Sequence, residues 1–168
     1  MKVGKFEKVS FEQFKKDWVK QFNDNDEKIK EIYDAIKIPK RATQGSAGYD
    51  FFSPIDLHFE PKAKIKIPTG IRVRIDEGWV LQIFPRSSLG FKYGLRLGNT
   101  TGIIDSDYYG SDNEGHMFMS LVCDNDENIA FDLTAGSAIV QGIFIPFGIT
   151  VDDETTEIRN GGFGSTNK

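Results

Sequence analysis

Residues 99–110 read Asn-Thr-Thr-Gly-Ile-Ile-Asp-Ser-Asp-Tyr-Tyr-Gly and carry the side chains best suited to chemistry. The β-branched and aromatic residues beside Gly102 predict a bent strand or hairpin. In a strand, Asp105 and Asp107 would point to one face and Tyr108 to the other. The backbone groups at such a bend can read the hydrogen-bonding edge of a flat ring, Tyr108 could pack on a sugar, and Asp105 could hold a water.

Two other interpretations of this segment exist. Asp105, Asp107 and Gly110 have the spacing of an EF-hand loop, but Tyr109 and His116 occupy positions five and twelve, where calcium ligands belong. No helical pattern flanks the segment either, so a calcium loop is rejected. An acidic β-turn with a solvated face stays open, because Asp, Asn and Gly are ordinary turn formers.

Two further segments suit the binding of an anion. Residues 85–90 read Pro-Arg-Ser-Ser-Leu-Gly and place a cation, two hydroxyls and exposed amides in one predicted turn after a strand. Residues 159–166 join a cation, one aromatic ring and hydroxyls in a Gly-rich stretch. The alternative interpretation of residues 85–90 is a plain surface turn. The second segment is either a lid over a bound anion and ring or a disordered tail.

Length and charge limit the class of protein. The chain has 168 residues, which is enough for one domain with a buried core. The net charge is −4 and the sequence has no basic stripe that could neutralise a phosphate backbone, so a nucleic-acid partner is not expected. The single Cys123 lies in an apolar run and is expected to be a buried thiol. His58 and His116 lack neighbours at metal-ligand spacing and are interpreted as structural.

No apolar stretch reaches membrane-spanning length and no signal-peptide pattern opens the chain. We therefore expect no membrane partner and a cytoplasmic location. The whole of residues 1–168 is predicted to form one domain, in which 10–36 is a helical insertion and 159–168 a mobile lid segment.

Helical patterns are confined to residues 10–36. Ser10 with Gln13 forms a capping-box signature, and Asp24 with Glu27 predicts the start of a second helix. The apolar faces of the two helices are formed by Phe11, Phe14, Trp18, Phe22, Ile29, Ile32, Tyr33 and Ile36. This helical pair is interpreted as a structural pack-on or an oligomer contact, with a protein partner as the alternative.

Short strands separated by Gly and Pro turns surround this insertion. Residues 2–9 predict a first strand, and apolar residues alternate with charged ones from Ile65 to Ile75. Further apolar runs cover 79–84, 117–123, 129–133 and 139–147. Many short strands at even spacing predict an all-β sandwich or barrel.

Five motifs that are weak one by one occur together in a fixed order. They are Ala47-Gly48-Tyr49-Asp50, Pro85 to Gly90, Gly102 to Gly110, Gly136 to Gln141, and Arg159 to Thr166. In this order the chain closely resembles the homotrimeric dUTPase family, the deoxyuridine triphosphate nucleotidohydrolases. The resemblance covers roughly residues 38–166.

The resemblance implies an all-β, jelly-roll-like dUTPase barrel that hydrolyses dUTP to dUMP and pyrophosphate. Such an enzyme keeps uracil out of DNA and supplies dUMP for thymidylate synthesis. Asp105 would activate a water that attacks the α-phosphorus, in a reaction that needs mainly positioning and charge stabilisation. The residues implied for uracil and deoxyribose are Asn99, Gly102, Ile103, Ile104, Tyr108 and, as a lid, Phe163.

The resemblance also implies a triphosphate site and a metal. The implied phosphate contacts are Arg86, Ser87, Ser88, Gln141, Arg159, Ser165 and Thr166. Asp50 would act through water near a Mg²⁺ held by the triphosphate oxygens, since Mg²⁺ usually keeps several waters. Each site would be shared between subunits of a homotrimer.

The chain departs from the family pattern at three places. Tyr109 stands where the third motif usually has Arg, and Ser137-Ala138 stands where the fourth usually has Asp-Arg. The joint loss of these charges is interpreted as a compensated swap within one ionic network. The fifth motif is also one residue shorter than usual between Arg159 and Phe163.

Two rival functions follow from the same fold. A dCTP deaminase would need a Thr-Leu-Glu strand where this chain has Phe118 to Val122, so deamination is not expected. A dUTP-gated protein-binding module would keep the nucleotide site and use the helices of residues 10–36 for its partner.

Overall fold

The largest sheet of the protein has five antiparallel strands. The computed structural model describes residues 1–125, 129–157 and 159. The strands of this sheet, in spatial order, are β2 (Lys40–Arg41), β3 (Tyr49–Phe52), β12 (Ala138–Pro146), β7 (Trp79–Pro85) and β9 (Gly102–Ile104). None of the helices in the described ranges has the length and apolarity that a bilayer span requires.

Three smaller antiparallel sheets complete the all-β architecture. One pairs β1 (Gly4–Lys8) with β6 (Ile71–Ile75), and another pairs β11 (Phe131–Leu133) with β4 (Leu57–Phe59). The third has the order β5 (Lys64–Pro68), β10 (Phe118–Cys123) and β8 (Leu95–Leu97). The strands predicted from apolar alternation are therefore present, which confirms the predicted all-β class.

The two predicted helices lie between β1 and β2. They are α1 (Phe11–Trp18) and α2 (Asp26–Ala35). The Ser10 hydroxyl caps α1 by accepting from the Gln13 amide at 3.1 Å, as predicted. Glu114, and not Gln13, completes the capping box by accepting from the Ser10 amide at 2.8 Å. The second helix is capped by Asn25, so the predicted start at Asp24 was wrong by one residue.

The insertion packs on the barrel through its apolar faces. Phe14, Trp18 and Ile29 are completely buried, and they belong to one hydrophobic cluster with barrel residues such as Ile67 and Met117. The close fit is visible at Gly70, whose φ is +70° and whose missing Cβ would lie 2.3 Å from Ile36 Cδ1. Helices and barrel thus share a core.

Two predicted local structures were wrong. Ser106–Gly110 is a 3₁₀ helix, so Asp105 and Asp107 do not alternate along a strand. Residues after Pro85 form a short helix, α3 (Ser87–Tyr93), and not a turn. Cys123 is buried as expected.

Candidate active site

A cleft of about 690 Å³ lies between the edge strand β9, the 3₁₀ helix and the sheet that contains β10. Seven of the predicted site residues line it. They are Asn99, Gly102, Ile103, Ile104, Asp105, Tyr108 and Arg159. The fold therefore brings the third motif and the first residue of the fifth motif to one concave site.

The backbone that forms one wall of the cleft is bent and has a free edge. β9 is the last strand of its sheet and pairs only with β7 in the described part of the chain. A Cβ at Gly102 would lie 3.1 Å from Ile83 Cβ, so only glycine allows this approach without displacement. Thr100 enters the strand with φ +67°, a strained value for a β-branched residue. The backbone amide and carbonyl groups along this edge of β9 are thus held in fixed positions beside the cleft.

Asp105 presents its carboxylate at the start of the 3₁₀ helix. Its side chain is 45% exposed, and Oδ2 accepts from Arg159 Nη2 at 2.6 Å. Arg159 Nε lies 3.1 Å from Asp107 Oδ1, so the arginine bridges the two carboxylates. Among the described residues this ion pair leaves Asp105 Oδ1 available to a water.

Tyr108 forms a rigid part of the cleft wall. Only 4% of the residue is exposed. Its hydroxyl donates to the His116 carbonyl at 2.7 Å and accepts from Asn113 Nδ2 at 2.9 Å. Burial raises the pKa of Tyr108, so the phenol stays neutral at physiological pH. The ring is held at its far end and forms part of the lining of the cleft.

A second cluster of predicted residues lies across β3, β12 and β7. Asp50 and Gln141 are direct cross-strand partners, so their side chains share a face. Asp50 Oδ1 lies 3.2 Å from Arg86 Nε, and Gln141 Nε2 donates to the Pro85 carbonyl at 3.2 Å. A Cβ at Gly48 would lie 2.8 Å from Gln141 Oε1. The first, second and fourth motifs are therefore held together by direct contacts.

The hydroxyls of Ser87 and Ser88 are on exposed residues in the first turn of α3, directly after Arg86. None of the five residues Asp50, Arg86, Ser87, Ser88 and Gln141 contributes to the described lining of the cleft. One protomer thus presents two separate groups of predicted site residues, one around Asp105 and one around Arg86.

Three cations on the opposite wall of the cleft were missed. Lys64, Lys66 and Arg96 line it from β5 and β8. Lys64 and Arg96 both stand opposite Val122, so all three residues share one face of the sheet. The alternation of lysine with isoleucine in β5 was visible in the sequence, but it was used only to predict a strand.

Phe163, Ser165 and Thr166 were predicted to close over the ligand. All three lie outside the described residues. No group of three or more His, Cys, Asp or Glu that could hold a metal occurs in the part of the chain that is described. Asp50 is a single carboxylate next to an arginine, and such a site suits a metal bound mainly by ligand oxygens.

Tyr109 has a specific environment that explains why an arginine is absent there. Its hydroxyl donates to Glu7 Oε2 at 2.7 Å and accepts from Arg72 Nη2. The Arg72 guanidinium carbon lies 3.9 Å from the centre of the Tyr109 ring. The positive charge at this position comes from β6, and an arginine at 109 would meet Arg72.

We expect Tyr109→Arg to destabilise the protein by about 1–2 kcal/mol, because it replaces a cation–π contact with two adjacent cations. Urea unfolding measures this change. Tyr109→Phe is the matched control, since it keeps the ring under Arg72 and should cost less. An unchanged or higher unfolding midpoint for Tyr109→Arg would contradict this account of the substitution.

Comparison with known proteins places the chain in a family. The dUTPase family model matches residues 34–167. The chain is 46% identical over 134 residues to the deoxyuridine 5'-triphosphate nucleotidohydrolase of Lactococcus lactis, which covers 78% of this chain and 88% of that protein. It is 40% identical over 145 residues to the Haemophilus influenzae enzyme of the same name, covering 82% and 91%.

The fold agrees with this result. The crystal structure of dUTPase from Streptococcus mutans superposes with a TM-score of 0.63 at 32% identity, covering 86% of this chain and 97% of that chain. The chain therefore belongs to the dUTPase family. Residues 10–33, which contain α1 and most of α2, precede the matched segment.

Proposed function

We propose that this dUTPase hydrolyses dUTP to dUMP and pyrophosphate in the cleft beside Asp105. Membership of the family makes the chain a hydrolase of dUTP. The observation that carries the assignment of the site is the half-exposed Asp105 carboxylate between the free edge of β9 and the Tyr108 ring.

The β9 edge suits the recognition of uracil. Its backbone groups are fixed by pairing with β7 on the other side, so they offer a set pattern of donors and acceptors. Cytosine reverses that pattern at N3 and position 4 and would leave buried groups unpaired, which discriminates by roughly 10⁴-fold in comparable sites. Tyr108 would stack on the deoxyribose and exclude a 2′-hydroxyl.

The Arg86 cluster suits the triphosphate. Arg86 supplies a planar donor fork, while Ser87, Ser88 and Gln141 supply neutral donors. Because these residues do not line the cleft of their own protomer, we propose that they complete the cleft of a neighbouring subunit in a homotrimer. Arg159, Ser165 and Thr166 would add contacts to the distal phosphates, and Phe163 would cover the base.

The dUTPase family is consistent with a divalent metal cofactor. We propose Mg²⁺, held chiefly by the triphosphate oxygens with Asp50 acting through water. Bound there, the metal would orient the phosphate chain and neutralise part of its charge.

We propose that Asp105 acts as the base, a role that its partly exposed carboxylate supports. Oδ1 accepts a proton from a water while that water's oxygen forms a bond to the α-phosphorus. The bond from the α-phosphorus to the bridging oxygen breaks, and pyrophosphate leaves with the electron pair. Arg159, bonded to Oδ2, would hold the carboxylate in place during this step.

Pyrophosphate release from dUTP, dCTP, dTTP and UTP with Mg²⁺ tests the proposal. We expect rapid release from dUTP, and release from dCTP, dTTP and UTP that is slower by several orders of magnitude. Comparable rates on all four nucleotides would show that β9 and Tyr108 do not select the base and the sugar.

A further inference from the structure

We propose that the helical insertion sets the position of Tyr108, and thereby the discrimination between deoxyribose and ribose, through the buried pair Asp17–His116. This inference rests on the proposed function of the cleft. It assigns Asp17 and His116 as positioning residues, since neither lines the cleft.

Asp17 is a charged residue on the buried face of α1. Only 4% of it is exposed, and Gln13 beside it is 8% exposed. Asp17 Oδ2 accepts from Gln13 Nε2 at 2.6 Å, and Oδ1 accepts from Lys20 Nζ at 2.9 Å. Burial alone would raise the pKa of Asp17, but the hydrogen bonds from His116, Lys20 and Gln13 outweigh it and the pKa is lowered. A buried carboxylate that accepts three hydrogen bonds restricts the movement of the side chains that donate them.

His116 is completely buried and is fixed at both ring nitrogens. Nε2 accepts from the Gly70 amide at 2.8 Å, so this nitrogen carries no proton. Nδ1 must then be the protonated nitrogen, and it donates to Asp17 Oδ2 at 2.8 Å. The imidazole is thus neutral, and it joins α1 to the start of β6.

The backbone of His116 continues this connection to the cleft. Its carbonyl accepts the hydroxyl of Tyr108 at 2.7 Å. Its ring lies 4.8 Å from the ring of Phe118, which also lines the cleft. A shift of His116 would therefore disturb its contacts with two residues that line the cleft, Tyr108 and Phe118. Asp17 prevents that shift by holding the imidazole from the side of the helix.

A double-mutant cycle with Asp17→Ala and Tyr108→Phe tests the connection. The measured quantity is the ratio of kcat/KM for dUTP to that for UTP, with kcat and KM reported separately. We expect each single variant to lower this ratio about tenfold. The ratio of the double variant should be no lower than that of either single variant, because both substitutions break the same connection. Asp17→Asn should restore most of the ratio, since its side-chain oxygen can still accept from His116 Nδ1.

Asp24→Ala is the matched control for a general loss of helix packing. Asp24 accepts from Trp18 Nε1 at 2.9 Å and thus anchors the same insertion without contacting His116. We expect it to lower the melting temperature and leave the ratio unchanged. An unchanged ratio in Asp17→Ala, or effects that multiply in the double variant, would overturn the inference.

If Asp17→Ala does not fold, His116→Gln replaces it in the same cycle. An unchanged ratio, or effects that multiply in the double variant, would again overturn the inference. A wild-type protein that fails to hydrolyse dUTP would contradict the proposed function itself. The two failures are therefore told apart before any variant is compared.

Discussion

Asp105→Asn is expected to bind dUTP and to release pyrophosphate about 10³-fold more slowly than the wild type, because an amide cannot accept the proton of the attacking water. The substitution keeps the size of the side chain, and its oxygen can still accept from Arg159. The loss should therefore appear in kcat, with KM changed far less. Single-turnover pyrophosphate release together with equilibrium binding of dUTP measures the two quantities.

Asp107→Asn is the matched control for Asp105→Asn. Asp107 pairs with the same arginine at 3.1 Å, and its side chain is 54% exposed. It does not contribute to the described lining of the cleft. Its kcat should stay within about tenfold of the wild type, in the range of a lost surface ion pair. Equal losses from both substitutions would mean that the arginine bridge, and not proton transfer, is what Asp105 supplies.

Trp18→Ala is expected to have the largest effect on stability, at about 3–5 kcal/mol. The Trp18 ring is completely buried, stacks on Phe22 at 4.5 Å between ring centres and contacts Phe14 at 5.1 Å. Its loss also leaves Asp24 without the indole donor. For a domain whose total stability is about 5–15 kcal/mol, this is a large fraction. Urea unfolding followed by circular dichroism measures the change.

Val19→Ala serves as the comparison for Trp18→Ala, since Val19 is the next residue and is 52% exposed. Its effect should stay within about 0.5 kcal/mol. If Trp18→Ala cost no more than Val19→Ala, the insertion would have to be anchored elsewhere.

The sequence predicted secondary structure best where apolar residues recur at the spacing of a strand or a helix. The alternation along Ile71, Val73 and Ile75 predicts a strand with one buried face, and all three are buried in β6. The helical spacing of Phe14 and Trp18 likewise predicts their burial. The glycine and β-branched residues before Asp105 correctly predicted a strand, which is β9 (Gly102–Ile104). The 3₁₀ helix that follows was not predicted, since the contacts of Tyr108 with residues 113–116 do not show in the local sequence pattern.

Contacts between distant parts of the chain were beyond what one sequence can show. Asp17 and His116 are 99 residues apart, and each has an ordinary local context. Lys64 and Arg96 reach the cleft only because both of their strands pair with β10. The roles of the individual site residues, the cytoplasmic location and a protein partner for residues 10–36 stay predictions.

The cap of α1 has a consequence for the order of folding. An isolated helix of eight residues is too short to persist in water, and the acceptor that completes its cap is Glu114, which lies 104 residues further along the chain from Ser10. We therefore expect α1 to become stable only after the turn that carries Glu114 has closed against β6. During synthesis, the residues of α1 would therefore stay unstructured until most of the barrel had left the ribosome.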